Sequence, residues 1–163
     1  MKAQVWSLDF AASVVIFLTA IIVAMFALNF TMAQNAQQTE FNIMENAAMS
    51  VSDSLVRLPG MPDGWNRTTV TTIGLASQEN ILNGTKLEEF VAMDNDTVKN
   101  LLGTGNYRLY FEVRYVNGTL ATLPGGGQAS RGAYPSGAAL IIPVQRYVLY
   151  MERPARMMLI LWT

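Results

Sequence analysis

The sequence predicts an α+β protein: a long N-terminal α-helix, hydrophobic and then amphipathic, followed by a mostly antiparallel β-sheet head with two short helices. Three observations predict this class. Residues 10–39 carry no charge, and neither Gly nor Pro occurs before Pro59. From residue 107 the apolar residues recur at every second position, which is the period of a strand.

The helix prediction rests first on an apolar run of membrane length. Residues 10–28 are apolar except for Ser13 and Thr19, and at 1.5 Å per residue they span roughly 29 Å, close to the hydrocarbon thickness of a bilayer. A buried core helix is the alternative, but few core helices are apolar on every face for this length. Lys2 precedes the run, so the positive-inside rule predicts a cytoplasmic N-terminus with residues 40–163 outside.

The same helix continues with one apolar stripe. Counting back from Leu58 in steps of three and four gives Leu55, Val51, Ala48 and Met44. Charged residues occupy the opposite face. We therefore predict one helix from about residue 7 to 57, whose second half packs on the head.

The head begins after the Pro- and Gly-rich break at residues 58–64. A capping box at Thr85–Glu88 predicts a helix at about 86–93, and a second helix at 97–102 follows Asp94 and ends at Gly103. Strands are predicted where β-branched, aromatic or alternating residues cluster. These strands cover residues 68–76, 107–116, 138–151 and 156–162.

Three local signals refine the predicted sheet. Strand 107–116 places Arg108, Tyr110, Glu112 and Arg114 on one face. Asn117–Gly118 is a hairpin signal. Pro143 marks an edge or a bulge in strand 138–151, and a turn is expected at residues 153–155.

Composition excludes several classes of function. The chain has no Cys and no His, so disulfides, thiolate chemistry, the usual zinc sites and Ser–His or Cys–His nucleophile systems are excluded. Lys and Arg number 11 against 12 Asp and Glu, which does not suit a phosphate-binding surface. We expect no enzymatic activity, no cofactor, no metal and no nucleic-acid partner.

Five Asn-x-Thr sequons occur, and such a number favours a glycosylated exterior. Asn29 lies in the apolar helix, where it should be inaccessible. The predicted glycosylation sites are the other four, Asn66, Asn83, Asn95 and Asn117. Alternatively, Asn and Thr are common in turns and helix caps, which would account for Asn83 and Asn95 individually.

The N-terminus resembles the class III signal peptide of archaeal type IV pilin-like proteins. Lys2, Ala3 and Gln4 match the cleavage junction, and Asp9 ahead of Phe10 is the acid that follows it. The family more commonly has Glu, one or two positions nearer the cut. The resemblance covers nearly the whole chain, including Gly60–Trp65 and the end from Glu152 to Trp162. It implies that a prepilin peptidase cuts between Ala3 and Gln4. The expected parts are then a leader (1–3), an N-terminal helix (4–58) and an extracellular globular head (59–163).

The resemblance also implies a function. The chain is expected to be the structural subunit of a pilus-like filament on the cell surface, with other copies of itself, a membrane assembly platform and attached glycans as partners. Surface adhesion, swimming and DNA uptake are the alternatives for what the filament does. Before assembly it resides in the membrane. Asp9 is expected to pair with the new α-amino group of Gln4, whereas the alternative makes Ser7 or Asp9 a helix N-cap. The residues expected to pack in the filament core are Phe10, Val14, Phe17, Ile21, Ala24 and Leu28.

A second hypothesis belongs to a different class. The same sequence suits a monomeric membrane-anchored surface module whose head binds glycans or a surface-layer partner. The two hypotheses differ in whether the chain enters long fibres or stays with the membrane.

Overall fold

The structure is a computed structural model that describes the backbone of residues 3–163 and the side chains of residues 8–36 and 38–163. It confirms the α+β class. Within the described residues, the elements in chain order are α1 (Ala3–Arg57), β1 (Ala76–Gln78), β2 (Ile81–Leu82), α2 (Gly84–Ala92), α3 (Asn95–Leu102), β3 (Arg108–Tyr115), β4 (Ser130–Arg131), β5 (Ile141–Tyr150) and β6 (Arg153–Trp162).

The chain divides into two compact units at Asn42 and Ile43, so α1 contributes to both. We call α1 up to Asn42 the outer segment and residues 43–163 the head unit. The division leaves the last four turns of α1 with the sheet. Met1 and Lys2 of the expected leader lie outside the described residues.

The predicted apolar stripe of α1 is buried in the head unit. Met44, Ala48 and Leu55 are fully buried, and Val51 is nearly so. Ser52 accepts a hydrogen bond of 3.2 Å from Arg146 of β5, and Asp53 pairs with the same guanidinium at 2.9 Å. The stripe therefore packs on the face of the sheet that carries Arg146.

The C-terminal end of α1 is closed by the chain that follows it. The carbonyl of Leu55 accepts from the Leu75 amide at 3.0 Å, and that of Val56 accepts from the Asn80 amide at 2.8 Å, so two of the free helix carbonyls are satisfied. Gly74 makes this closure possible, because a Cβ there would lie 2.2 Å from the Leu58 carbonyl oxygen.

The sheet is mixed but mostly antiparallel, in the order β1-β2-β5-β6-β3-β4. Its centre is the antiparallel set β5, β6 and β3, in which Leu159 lies opposite both Val144 and Phe111. The parallel pairing of β2 with β5 covers only Leu149 and Tyr150, and no other described strand pairs with that side of β5, which leaves the rest of it as a free edge. Pro143 lies in this free part, which confirms the predicted edge position.

Two local predictions were wrong. Residues 68–75 contain a turn, a bend and one isolated β-bridge between Thr72 and Met61, and the strand begins only at Ala76. At the start of this stretch the Asn66 carboxamide oxygen accepts from the amides of Thr68 and Thr69, which competes with strand pairing there. The turn expected at residues 153–155 lies at Met151 and Glu152, whose positive φ values of 49° and 60° suit a two-residue hairpin between twisted strands.

The two head helices are where the sequence predicted them, with one different cap. Asp94 caps α3 by accepting from the Thr97 amide at 2.8 Å, and Gly103 closes it in the left-handed region, as expected. α2 is capped by Asn83, which accepts from the Lys86 amide, and not by Thr85. The helix therefore begins two residues earlier than predicted.

Candidate functional site

The outer segment of α1 exposes apolar side chains in every direction. Each described side chain from Leu8 to Ala36 is exposed. Phe10 is 72% exposed and Phe26 75%, although at 3.6 residues per turn they point about 160° apart. This is one helix near the N-terminus that is long and apolar enough to span a membrane. Such a surface requires lipid or other helices around it.

The six residues expected in the filament core form one face of this segment. Spacings of four and three residues place them within an arc of about 80°. All six side chains are exposed, so no other described element covers this face. A shallow groove that shares Ala24 with this face is lined by Val15, Ile16, Thr19, Ala20, Val23, Ala24 and Ala27.

Polar side chains within the apolar segment bond to their own helix. Ser13 donates to the Asp9 carbonyl and Thr19 to the Val15 carbonyl, each at 2.8 Å, as expected for hydroxyls in an apolar helix. Asn29 donates from its side-chain nitrogen to the Met25 carbonyl at 3.0 Å. The Ser13 and Thr19 hydroxyls therefore use their single donors within the helix, and Asn29 uses one of its two N–H donors.

Asp9 lies inside α1 and is exposed. In the described residues α1 extends from Ala3, so the backbone of Ser7 and of Asp9 lies inside the helix. The side chains of Ala3 and Gln4 lie outside the described residues. The expected cleavage and the pairing of Asp9 with the Gln4 amine therefore stay predictions.

The sequons occupy three different settings. Asn66 and Asn117 lie in exposed turns, Asn83 caps α2 and is half-buried, and Asn95 is the first residue of α3. Whether any of them carries a sugar stays a prediction.

The head unit has a cleft of about 320 Å³ that the sequence did not reveal. Its walls come from α3, the first residues of β3, the end of β4 and the last residue of β6. No single segment carries the site, and only the fold brings its charged and aromatic side chains together. The residues that line it are Asn95, Asp96, Val98, Lys99, Arg108, Leu109, Arg131, Gly132, Ala133 and Trp162.

Arg131 forms the buried wall of this cleft and holds the two head helices. Its guanidinium donates to the carbonyls of Phe90 and Met93 at the end of α2, and at 2.9 Å to the carboxamide oxygen of Asn95. It also lies over the Phe90 ring, 4.8 Å from the centroid. Burial lowers the pKa of Arg131 to about 10, which leaves it charged at neutral pH.

The opposite wall of the cleft is cationic and aromatic. The Arg108 guanidinium lies 4.8 Å from the centre of the Trp162 ring, a cation–π distance. Lys99 adds a second cation, and Asp96 supplies the acidic side chain among the lining residues. Such a cleft is suited to a small acidic ligand more than to a neutral or basic one.

A second polar cluster of the head unit lies on β3, and its centre is the buried carboxylate of Glu112. Glu112 accepts from Arg114 at 2.7 and 2.8 Å and from the Tyr110 hydroxyl at 2.7 Å. Burial raises the pKa of Glu112, but the hydrogen bonds from Arg114 and Tyr110 outweigh it, so the pKa lies below the ordinary value. Burial and the Glu112 hydrogen bond raise the pKa of Tyr110 to about 12. The cluster fixes β3 and contains no nucleophile activated at neutral pH.

The chain matches no protein-family model, no curated protein and no solved structure. In the part of the chain that the structure describes, no group of three Asp or Glu side chains is arranged to hold a metal ion. The long apolar N-terminal helix followed by a β-sheet head is compatible with a pilin-like fold.

Proposed function

We propose that this chain is the structural subunit of an extracellular filament of the archaeal type IV pilus kind. The outer segments of many copies pack together in the core of the filament, and the head units cover it. The chain is therefore not an enzyme. Its partners are other copies of itself, the peptidase and platform that process and assemble it, and the membrane that holds it beforehand.

The observation that carries this proposal is the outer segment of α1. Its aromatic and aliphatic side chains are exposed all around the helix from Leu8 to Met32. In a helix that only anchors a protein, lipid covers such apolar side chains. In a filament core, other copies of the same helix cover them. Lipid is as apolar as another helix, so close packing and polar pairing must supply the net free energy of assembly. The small residues Ala20, Ala24 and Ala27 permit that close approach.

Shearing the cells tests the proposal. We expect the chain in long fibres that sediment apart from membranes, seen by electron microscopy and immunoblotting. An unrelated protein with one membrane anchor serves as the control and stays with the membrane fraction. If this chain also stays there, the filament proposal fails.

Mass spectrometry of the exported chain tests the processing step. We expect an N-terminus at Gln4, with Met1 to Ala3 removed. A chain that retains Lys2 contradicts cleavage at this junction.

A membrane-anchored surface module is the second candidate, and the cleft in the head unit favours it. Lys99 and Arg108 could pair with the carboxylate of a sugar acid beside the Trp162 ring. The test titrates the full chain in detergent with a uronic-acid oligosaccharide and with a neutral hexose oligosaccharide. Saturable binding of the acidic oligosaccharide that Lys99→Ala and Arg108→Ala each weaken supports the module, and equal binding of the two sugars contradicts it.

A further inference from the structure

The four sequons of the head unit differ in one geometric property that matters for their modification. An Asn side chain accepts a glycan through its nitrogen, Nδ2, and the Thr two residues later is part of the acceptor. A sequon is suited to modification when the Thr hydroxyl donates a hydrogen bond to the Asn carboxamide oxygen and Nδ2 is accessible. This property of the folded head does not depend on whether the chain forms filaments.

Asn66 has this geometry. Its carboxamide oxygen accepts from the Thr68 amide at 2.9 Å and from the Thr68 hydroxyl at 2.7 Å. Both residues are exposed, as is Arg67 between them. Among the described residues, nothing accepts a hydrogen bond from Nδ2 of Asn66.

Asn117 repeats the arrangement in an unrelated part of the head. Its oxygen accepts from the Thr119 amide at 3.1 Å and from the Thr119 hydroxyl at 2.7 Å. The residues 117–119 are exposed at the tip of the turn that follows β3. No described group accepts from Nδ2 here either.

The carboxamide oxygens of Asn83 and Asn95 accept hydrogen bonds that stabilise the fold. Asn83 accepts from the Lys86 amide at 3.2 Å as the cap of α2. Asn95 accepts from the buried Arg131 at 2.9 Å. Asn95 and Thr97 both lie in α3, where side chains two residues apart point about 160° apart, so the hydroxyl cannot reach the carboxamide.

We infer that Asn66 and Asn117 are the glycosylation sites of the folded chain, and that Asn83 and Asn95 are not. The glycosyl donor is a lipid-linked glycosyl phosphate. Nδ2 attacks the anomeric carbon, forming a C–N bond, and the bond from that carbon to the phosphate oxygen breaks with its electron pair leaving on the lipid phosphate. One proton leaves Nδ2 for a base of the transferase.

The hydroxyl bond assists this step for a physical reason. An amide nitrogen is a weak nucleophile because its lone pair is delocalised onto the carbonyl. Hydrogen bonds to the carbonyl oxygen stabilise the negative charge that gathers there as Nδ2 loses its proton. The Asn66 oxygen already has four such donors, from the amides and hydroxyls of Thr68 and Thr69, and the Asn117 oxygen has two. Modifying Asn83 or Asn95 from the same geometry requires unwinding the first turn of α2 or α3.

The test compares the folded chain with its own peptides. The full chain is made in a bacterial host without glycosylation and purified in detergent. It is then given a lipid-linked oligosaccharide and a single-subunit oligosaccharyltransferase chosen because it modifies peptides carrying each of the four sequons. Mass spectrometry of glycopeptides measures the occupancy of each site.

We expect occupancy of Asn66 and Asn117 at least tenfold above that of Asn83 and Asn95 in the folded chain, and similar occupancy of all four peptides. Occupancy of Asn83 or Asn95 within threefold of the other two overturns the inference. So does a folded chain that stays bare at Asn66 and Asn117.

Two double variants provide matched controls, because Asp keeps the accepting oxygen and lacks Nδ2. Asn66→Asp with Asn117→Asp should abolish modification of the folded chain. Asn83→Asp with Asn95→Asp should leave it unchanged. The inference is wrong if the second pair removes as much sugar as the first.

Discussion

The two parts of α1 have opposite relations to their surroundings. In the outer segment, large apolar side chains such as Phe10 and Phe26 are exposed, whereas in the head unit Met44 and Leu55 are fully buried against the chain's own sheet. A substitution in the outer segment should therefore change membrane insertion or association with other copies. A substitution in residues 43–57 should change the stability of the head unit. One continuous helix therefore has an exposed apolar part and a part buried in the head unit.

The largest expected effect breaks the outer segment. Phe17→Lys with Ile21→Lys places two cations near the middle of the apolar run, at a cost of about 3 kcal/mol each in membrane insertion. We expect the variant to be released from membranes by alkaline carbonate while the head still folds. Lys substituted for the exposed Ile141 and Tyr147 of the head is the control and should leave insertion unchanged. A doubly charged variant that still resists extraction shows that this segment does not span the membrane.

A second change affects only the head. Leu55→Ala removes a fully buried side chain and should lower the free energy of unfolding by about 2–5 kcal/mol. Urea unfolding of the full chain in detergent, followed by the fluorescence of Trp65 and Trp162, measures it. Phe17→Ala is the matched control and should change the value by less than about 0.5 kcal/mol. Equal effects of the two substitutions would abolish the distinction between the two parts of α1.

The third change tests whether a charge directs assembly of the outer segment. Asp9→Asn keeps the side-chain size and removes the partner expected for the Gln4 amine. A hydrogen bond between charged groups is worth about 1.5–3 kcal/mol, so we expect at least tenfold fewer filaments with membrane insertion and head stability unchanged. Filament counts by electron microscopy and carbonate extraction give the two readings. Normal filament numbers would show that Asp9 has no part in assembly.

The smallest effect concerns a charge buried in the head. The pKa of Glu112 is lowered in the folded chain, so its contribution is present above the ordinary carboxyl pKa of 4.5 and is lost as the pH falls through the lowered value. Glu112→Gln should cost about 1 kcal/mol at pH 7 and should flatten the fall in stability below pH 4.5. Urea midpoints at pH 7 and pH 3.5 measure both.

Glu79→Gln is the control for this change, because its pair with Arg57 is largely exposed, and such pairs contribute little. If Glu112→Gln leaves the acid dependence as steep as in the unsubstituted chain, another carboxylate is responsible.

Periodicity predicted the large elements of this fold, and local hydrogen bonds decided the exceptions. The stripe from Met44 to Leu55 and the alternation of β3 are long enough for their period to indicate both the element and its buried face. Residues 68–75 are rich in β-branched side chains, yet the Asn66 carboxamide captures the amides of Thr68 and Thr69, and pairing is limited to one bridge at Thr72. Strands of two or three residues, such as β2 and β4, are too short to have a period.

The candidate sites also differ in whether the local sequence is enough to predict them. The outer segment is a local property of the sequence, so its exposed apolar surface could be predicted. The cleft needs Lys99, Arg108, Arg131 and Trp162 from four elements, and only the pairing of strands brings them together. The difference between the sequons also depends on the fold, because Asn66 and Asn95 have the same local motif in different backbone conformations.

The free side of β5 has a consequence for a chain that is crowded. A helix that concentrates copies in a two-dimensional layer also brings their sheet edges together, and unpaired strand edges are templates for aggregation. Pro143 interrupts the row of backbone donors along that edge, since proline has no N–H to offer an incoming strand. One residue near the start of β5 therefore makes this edge a poorer template for a strand of another copy.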